Sequence, residues 1–218
     1  MTNQIVPDFI QVPASALSLS CRKPVYGVGI NDAGHTPLVR TAEGKRYKCP
    51  YYVTWAGMLK RCYSPRYQER YPTYAGCSVA PEWHSFMTFR AWMAAQDWSG
   101  KALDKDVLVP GNKSYSPDTC AFIDQATNKL LTDSKAARGA CPLGVSVKGG
   151  RYRASCKVNG SGVYLGVYDT PELAHAAYRA CKSRVVWEAA NLQTDPRVKA
   201  ALLRYSAGLA GGVTLSAA

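Results

Sequence analysis

Hydrophobic and polar positions change spacing several times along the chain, and each change predicts a different element. Residues 1–22 mix Pro, Ser, Thr and Asn with no helical or strand period, which predicts a poorly ordered arm. From Lys23 to Tyr47, strand-like pieces alternate with Gly-containing turns at Asn31–Pro37 and Ala42–Lys45. After Pro50 the period becomes helical: Tyr52, Trp55, Met58, Leu59 and Cys62 recur at steps of three and four, with Lys60 and Arg61 off that stripe. A Pro- and Tyr-rich stretch, Ser64–Trp83, reads as an irregular loop. A second helical stripe follows in Trp83, Phe86, Phe89, Trp92 and Met93, dense enough to be core. Leu103–Val109 predicts a strand, and a turn-rich loop leads from it to a helix capped by Asp118 or Thr119 and ending at Leu131.

The pattern then changes again. Residues 132–142 form a small-residue linker and mark the expected domain boundary. Beyond them, Gly144–Lys148, Arg151–Val158 and Gly162–Tyr168 read as three short strands. In the middle one, Arg151, Arg153, Ser155 and Lys157 alternate with Tyr152, Ala154, Cys156 and Val158. The flanking strands extend both faces, with Ser146, Lys148 and Tyr164 outward and Val145, Val147, Val163 and Leu165 inward. A helix opens with Thr170 as cap, Pro171 in the first turn and Glu172 at the positive end of the dipole. Its expected buried line is Leu173, Ala177, Cys181 and Val185. A last Pro-started helix, with Val198, Ala201 and Leu202 on one side, precedes a Gly- and Ala-rich tail.

Composition sharpens this picture. Lys and Arg number 27 against 15 Asp and Glu, a formal net charge of +12. A polyanionic partner would convert that self-repulsion into affinity through counterion release, which points to nucleic acid. No apolar run approaches the roughly 20 residues that cross a bilayer, and the first residues lack the basic start and apolar core of a secretory signal. We therefore expect a cytoplasmic protein with no membrane partner. In that reducing compartment the eight cysteines are expected as small core hydrophobes. A zinc site gathered from Cys49, Cys62, Cys77 and Cys120 is the alternative, though no pair has the C-x2-C spacing. His35 is expected on the surface of a turn.

Two candidate sites follow. The cations and the aromatic on one sheet face suit a DNA groove, for both phosphate and base-edge contacts. Separately, Asp104, Asp106 and Asn128 on the strand–loop–helix before the linker present two carboxylates and an amide. These could hold a hard divalent cation, Mg2+ or Mn2+, or serve equally as a turn acid, a surface acid and a capping amide.

The segments GVSVK, RYRASCKV and VYLGVYDTPELAHAAYRAC, with Asn191 after them, resemble the Apetala-two/ethylene-response-factor (AP-two) DNA-binding domain. That resemblance implies a sheet in the major groove and, position by position, DNA contacts from Ser146, Lys148, Arg151, Arg153, Ser155, Lys157 and Tyr164. Plant members carry Arg where Ser146 stands and Trp where Tyr164 stands. The preceding half, from WAGMLKRCYS through LDKD and GNKSYSPDTCAFI to Asn128, resembles phage-encoded HNH endonuclease-like proteins. Together the two resemblances cover roughly residues 25–200. They imply an α+β chain: an HNH-like (ββα-metal type) domain over 23–131, an AP-two-like domain over 143–192 with three antiparallel strands on one helix, and a helix and tail over 193–218. They also imply metal-dependent cleavage involving Asp104, Asp106 and Asn128, with Asp104 and Asn128 on the metal, and no organic cofactor. Asp104 falls at or near the position of the first HNH histidine, and a carboxylate is a much weaker base than imidazole. The alternative is a catalytically inactive DNA-binding regulator, or a counter-host decoy acting on a host protein, that keeps the nuclease fold.

Overall fold

The computed structural model describes residues 11–40, 46–131 and 141–211. The chain is α+β and divides into two compact units, residues 1–124 and 125–218. The division precedes the helix Gln125–Leu131. The linker expected at 132–142 falls mostly outside the described residues.

In the first unit, α1 (Ala16–Ser20) lies inside the segment expected as an unstructured arm, its N-terminus capped by the Ser15 side chain. Strands β1 (Leu38–Arg40) and β2 (Arg46–Lys48) pair antiparallel. Helix α2 (Pro50–Tyr63) starts on a proline whose missing N–H costs nothing in the first turn. It buries Trp55, Met58, Leu59 and Cys62, four of the five stripe positions, and leaves Tyr52 half-buried. The expected loop at Ser64–Trp83 contains short elements: α3 (Pro65–Arg70), a 3-10 turn at Pro72–Tyr74 and β3 (Ser78–Val79). Helix α4 (Phe86–Ala94) is capped by Ser85, and Asp32 accepts from the Ser85 hydroxyl (2.6 Å) and the Met87 N–H (2.9 Å).

The core of this unit is aromatic. Trp55, Trp83, Phe86 and Phe89 are fully buried, and Trp55 Nε1–H donates to the Trp83 carbonyl at 2.8 Å. Gly29 passes so close to the Trp55 ring that a Cβ there would lie 2.8 Å from it. His35 is buried, contrary to the exposed turn expected for it, because Arg22 gathers this loop inward. The Arg22 guanidinium donates to the carbonyls of Asn31, Ala33 and His35.

The strand expected at Leu103–Val109 is only β4 (Ala102–Asp104). The helix expected from residue 118 or 119 begins at Gln125, because Ala121–Ile123 forms β6, buried on both faces and antiparallel to β4. Strand β5 (Ser114–Tyr115) pairs parallel with β3.

The second unit opens with α5 (Gln125–Leu131) and continues with β7 (Val145–Lys148), β8 (Arg151–Val158) and β9 (Ser161–Tyr168), an antiparallel sheet in the order β7–β8–β9. Both hairpins have two-residue turns with positive φ, Gly149–Gly150 (57° and 75°) and Asn159–Gly160 (50° and 81°). This geometry matches the strand twist and suits Gly and Asn. Helix α6 (Pro171–Asn191) packs on the sheet, with Thr170 capping Leu173 N and Pro171 in its first turn. Its buried line is Ala174, Tyr178, Cys181, Val185 and Val186, while Leu173 is exposed. The line thus runs one residue off the expected start. Helix α7 (Pro196–Ala210), capped by Asp195, packs on α6 through Val198, Ala201 and Leu202, and Ser183 and Ser206 exchange hydrogen bonds across that contact.

Candidate nucleic-acid interface

Strand register decides which side chains of the sheet share a face. Ser146 lies across from Arg153, Lys148 from Arg151, Ser155 from Tyr164 and Lys157 from Gly162. Period-two alternation then brings Ser146, Lys148, Arg151, Arg153, Ser155, Lys157 and Tyr164 together on one face. All seven sequence-predicted residues of the sheet are therefore gathered there. The four cations are exposed, Ser155 is half-buried and Tyr164 is 58% exposed. The opposite face carries Ala154 and Cys156, both buried, and Cys156 packs with Tyr178, Cys181 and Val185 of α6, whereas Val147 and Val163, expected inward, are 63% and 39% exposed.

Two features of this face are not simple alternation. Between Ala154 and Ser155 the register with β9 slips, so that Leu165 is the extra residue of a bulge, followed by Gly166 at φ 124°. The bulge sets Leu165 and Gly166 in succession on the inner side, which reverses the phase and brings Val167 out opposite Arg153.

The electrostatics are equally particular. The Arg153 guanidinium lies over the Tyr164 ring at 5.3 Å from its centroid, which holds a planar fork at a set height above the sheet. Arg151 pairs with Asp169 at 2.8 Å. Asp169 was not anticipated, and it neutralises one of the four cations of the face. On α6, behind the sheet, His175 Nδ1 lies 3.0 Å from the Leu143 carbonyl, and its ring stacks on Tyr178.

The carboxylates proposed for metal chemistry have another occupation. Asp104, at the end of β4, accepts through Oδ1 from the N–H groups of Asp106 (2.8 Å) and Val107 (2.7 Å). Burial pushes its carboxyl above the usual range, against the lowering effect of those two donors. Asp106 receives Lys105 Nζ on both oxygens, at 2.7 and 2.8 Å. Lys105 is itself buried, and its carbonyl accepts from Asn112 Nδ2 at 3.0 Å. Three carboxylate oxygens are thus spent on closing the loop, and the ammonium among them repels a second cation. Asn128 lies on α5, in the second unit.

Among the described residues no group of three or more His, Cys, Asp or Glu is placed to hold a metal. All eight cysteines are free thiols. Burial pushes the Cys62 and Cys120 thiols up to about 12. Among the described residues no helix is long and apolar enough to cross a membrane. No family model, no curated protein and no solved structure matches this chain.

Proposed function

We propose that this protein binds duplex DNA through the outer face of β7–β8–β9, and that its first unit serves as scaffold rather than as a metal-dependent nuclease. The observation that carries the proposal is the register. It sets four exposed cations and one Arg–Tyr stack on a single face whose reverse is buried on α6. Three strands at about 4.8 Å spacing make a ribbon comparable with the roughly 12 Å width of the major groove. Lys148, Arg151 and Lys157 suit phosphates, and Arg153, held over Tyr164, suits the edge of a guanine.

The HNH likeness of the first half argues for cleavage, and the loop chemistry argues against it. Asp104 stands where a base would be needed, yet its oxygen is held by two backbone N–H groups. Binding to a 25-base-pair duplex and to single-stranded RNA, each over a salt series, tests the proposal, with supercoiled plasmid and Mg2+ or Mn2+ alongside. We expect duplex binding with a steep salt dependence and no nicking. Preference for the RNA would overturn the duplex assignment. Nicking abolished by Asp104→Ala would restore the nuclease.

A further inference from the structure

The first unit carries its own cluster of cations and aromatic rings, far from the sheet in sequence. From Lys60 to Tyr74 four cations stand against one carboxylate, Glu69, and the same fifteen residues hold four tyrosines. Helix α2 ends there, α3 follows, and the 3-10 turn closes the segment. Three of the tyrosines meet: Tyr67 lies tilted against Tyr71 (4.7 Å between centroids, 40°) and against Tyr74 (5.8 Å). The cations lie over these rings, Lys60 over Tyr67 at 5.0 Å and Arg70 over Tyr71 at 5.5 Å. Lys113 reaches the same turn, donating to the carbonyls of Thr73 and Ala75. Lys60, Arg66, Arg70 and Tyr71 are exposed.

A second observation points to an anion. Arg61 lies between the rings of Tyr74 (5.9 Å) and Tyr115 (5.2 Å), and its Nε is buried with no hydrogen-bond partner. Among the described residues no carboxylate pairs with this guanidinium. One N–H of this part-exposed guanidinium is thus left without an acceptor, and an anion on its remaining N–H groups would offset that cost.

We propose that this surface is a second nucleic-acid site, and that it takes an unpaired strand. Cations alone would bind any polyanion. The exposed Tyr71 ring adds something that only splayed bases can use, because a duplex keeps its own base faces stacked. In this assignment Arg61 and Lys60 hold phosphates, Arg66 and Arg70 follow the backbone, and Tyr71 receives a base. The inference is independent of the sheet.

The test uses the full chain and a fluorescent twelve-nucleotide oligo(dT), read by anisotropy, beside the 25-base-pair duplex. Tyr71→Ala should weaken oligo(dT) binding about tenfold, the effect of one lost base stack, and leave duplex binding unchanged. Arg66→Ala with Arg70→Ala should weaken it and flatten its salt dependence, while Arg153→Ala in the sheet should not affect it. A strand of abasic sites of equal length should bind more weakly than oligo(dT). Each variant's melting temperature is measured to confirm that the fold survives. Equal binding of the abasic strand or of polyglutamate would show a general polyanion site and overturn the proposal. So would oligo(dT) binding that is lost with Arg153→Ala and kept with Tyr71→Ala, or no binding of oligo(dT) at all.

Discussion

Gly144 fixes the way the sheet sits on its helix, and replacing it with alanine is a sharp test of that packing. Its φ is 80°, and a Cβ built there would run into the Tyr178 ring. Tyr178 is buried in the core beside Cys156 and Cys181, and the Gly144 carbonyl accepts from Ser155 N–H at 2.9 Å, so neither partner is free to yield. A left-handed conformation costs an L-residue about 1–2 kcal/mol, and forcing a methyl into a packed ring adds about 1–3 kcal/mol. Together these give about 3 kcal/mol. For a unit of this size each kcal/mol lowers the melting temperature by about 4–8 °C, so a fall of roughly 12–24 °C is expected in thermal unfolding followed by circular dichroism. Gly162→Ala is the control, since a Cβ there meets nothing within 4 Å. If the two variants melt within about 2 °C of each other, the seat assigned to Tyr178 is wrong.

Three further outcomes are expected. Burial, with the charges of Arg90 and Arg22, holds His35 below its ordinary value of 6.5. The folded state therefore resists its protonation: stability is full above pH 6.5 and is lost as pH falls below it toward the lowered folded value. Urea midpoints at about pH 7.5 and 5 should fall more for the native chain than for His35→Gln, and parallel losses would exclude His35 as the cause. At the β4 loop, Asp104→Asn keeps an oxygen for the two N–H donors, whereas Asp104→Ala strands them at about 1–3 kcal/mol. Equal destabilisation by the two variants in urea unfolding would show that the turn does not depend on that acceptor. On the sheet, Asp169→Asn releases Arg151 and should tighten duplex binding about two- to threefold at low salt, with the melting temperature unmoved. Weaker binding would mean that the ion pair presents Arg151 rather than masks it.

What the sequence discloses and what it conceals follow from how local each cause is. Helix α2 was legible because Trp55, Met58, Leu59 and Cys62 carry the helical period in a single run. The alternation of Arg151–Val158 was legible for the same reason, as were the Thr170–Pro171 start of α6 and the proline start of α7. Strand β6 was not. Ala121–Ile123 is buried on both faces, so it shows no alternation, and its partner β4 lies some twenty residues away. The bulge at Leu165 depends on cross-strand pairing, and Leu173 lost its expected place because Tyr178, seated on Gly144, rotates the buried line of α6. His35 was misplaced because three hydrogen bonds from Arg22, thirteen residues earlier, draw its loop inward. For the candidate sites, residue types identified the sheet face, and the register supplied the Arg153–Tyr164 stack and the Arg151–Asp169 pair. The carboxylates at 104 and 106 looked available in the sequence because nothing in it reveals the Asp106–Val107 amides and the Lys105 ammonium that occupy them.

The most direct test of the central claim is the salt dependence of duplex affinity for the native chain and for Lys148→Ala, Arg153→Ala and Lys157→Ala. With Lys148, Arg151 and Lys157 on phosphates, log K against log salt should have a slope near −2.7, about −0.9 for each phosphate neutralised. Lys148→Ala and Lys157→Ala should each lower that slope by about 0.9, whereas Arg153→Ala should cost about 1–3 kcal/mol and leave the slope unchanged. Slopes and affinities that stay at native values in all three variants would show that the duplex, if bound at all, lies elsewhere on the protein.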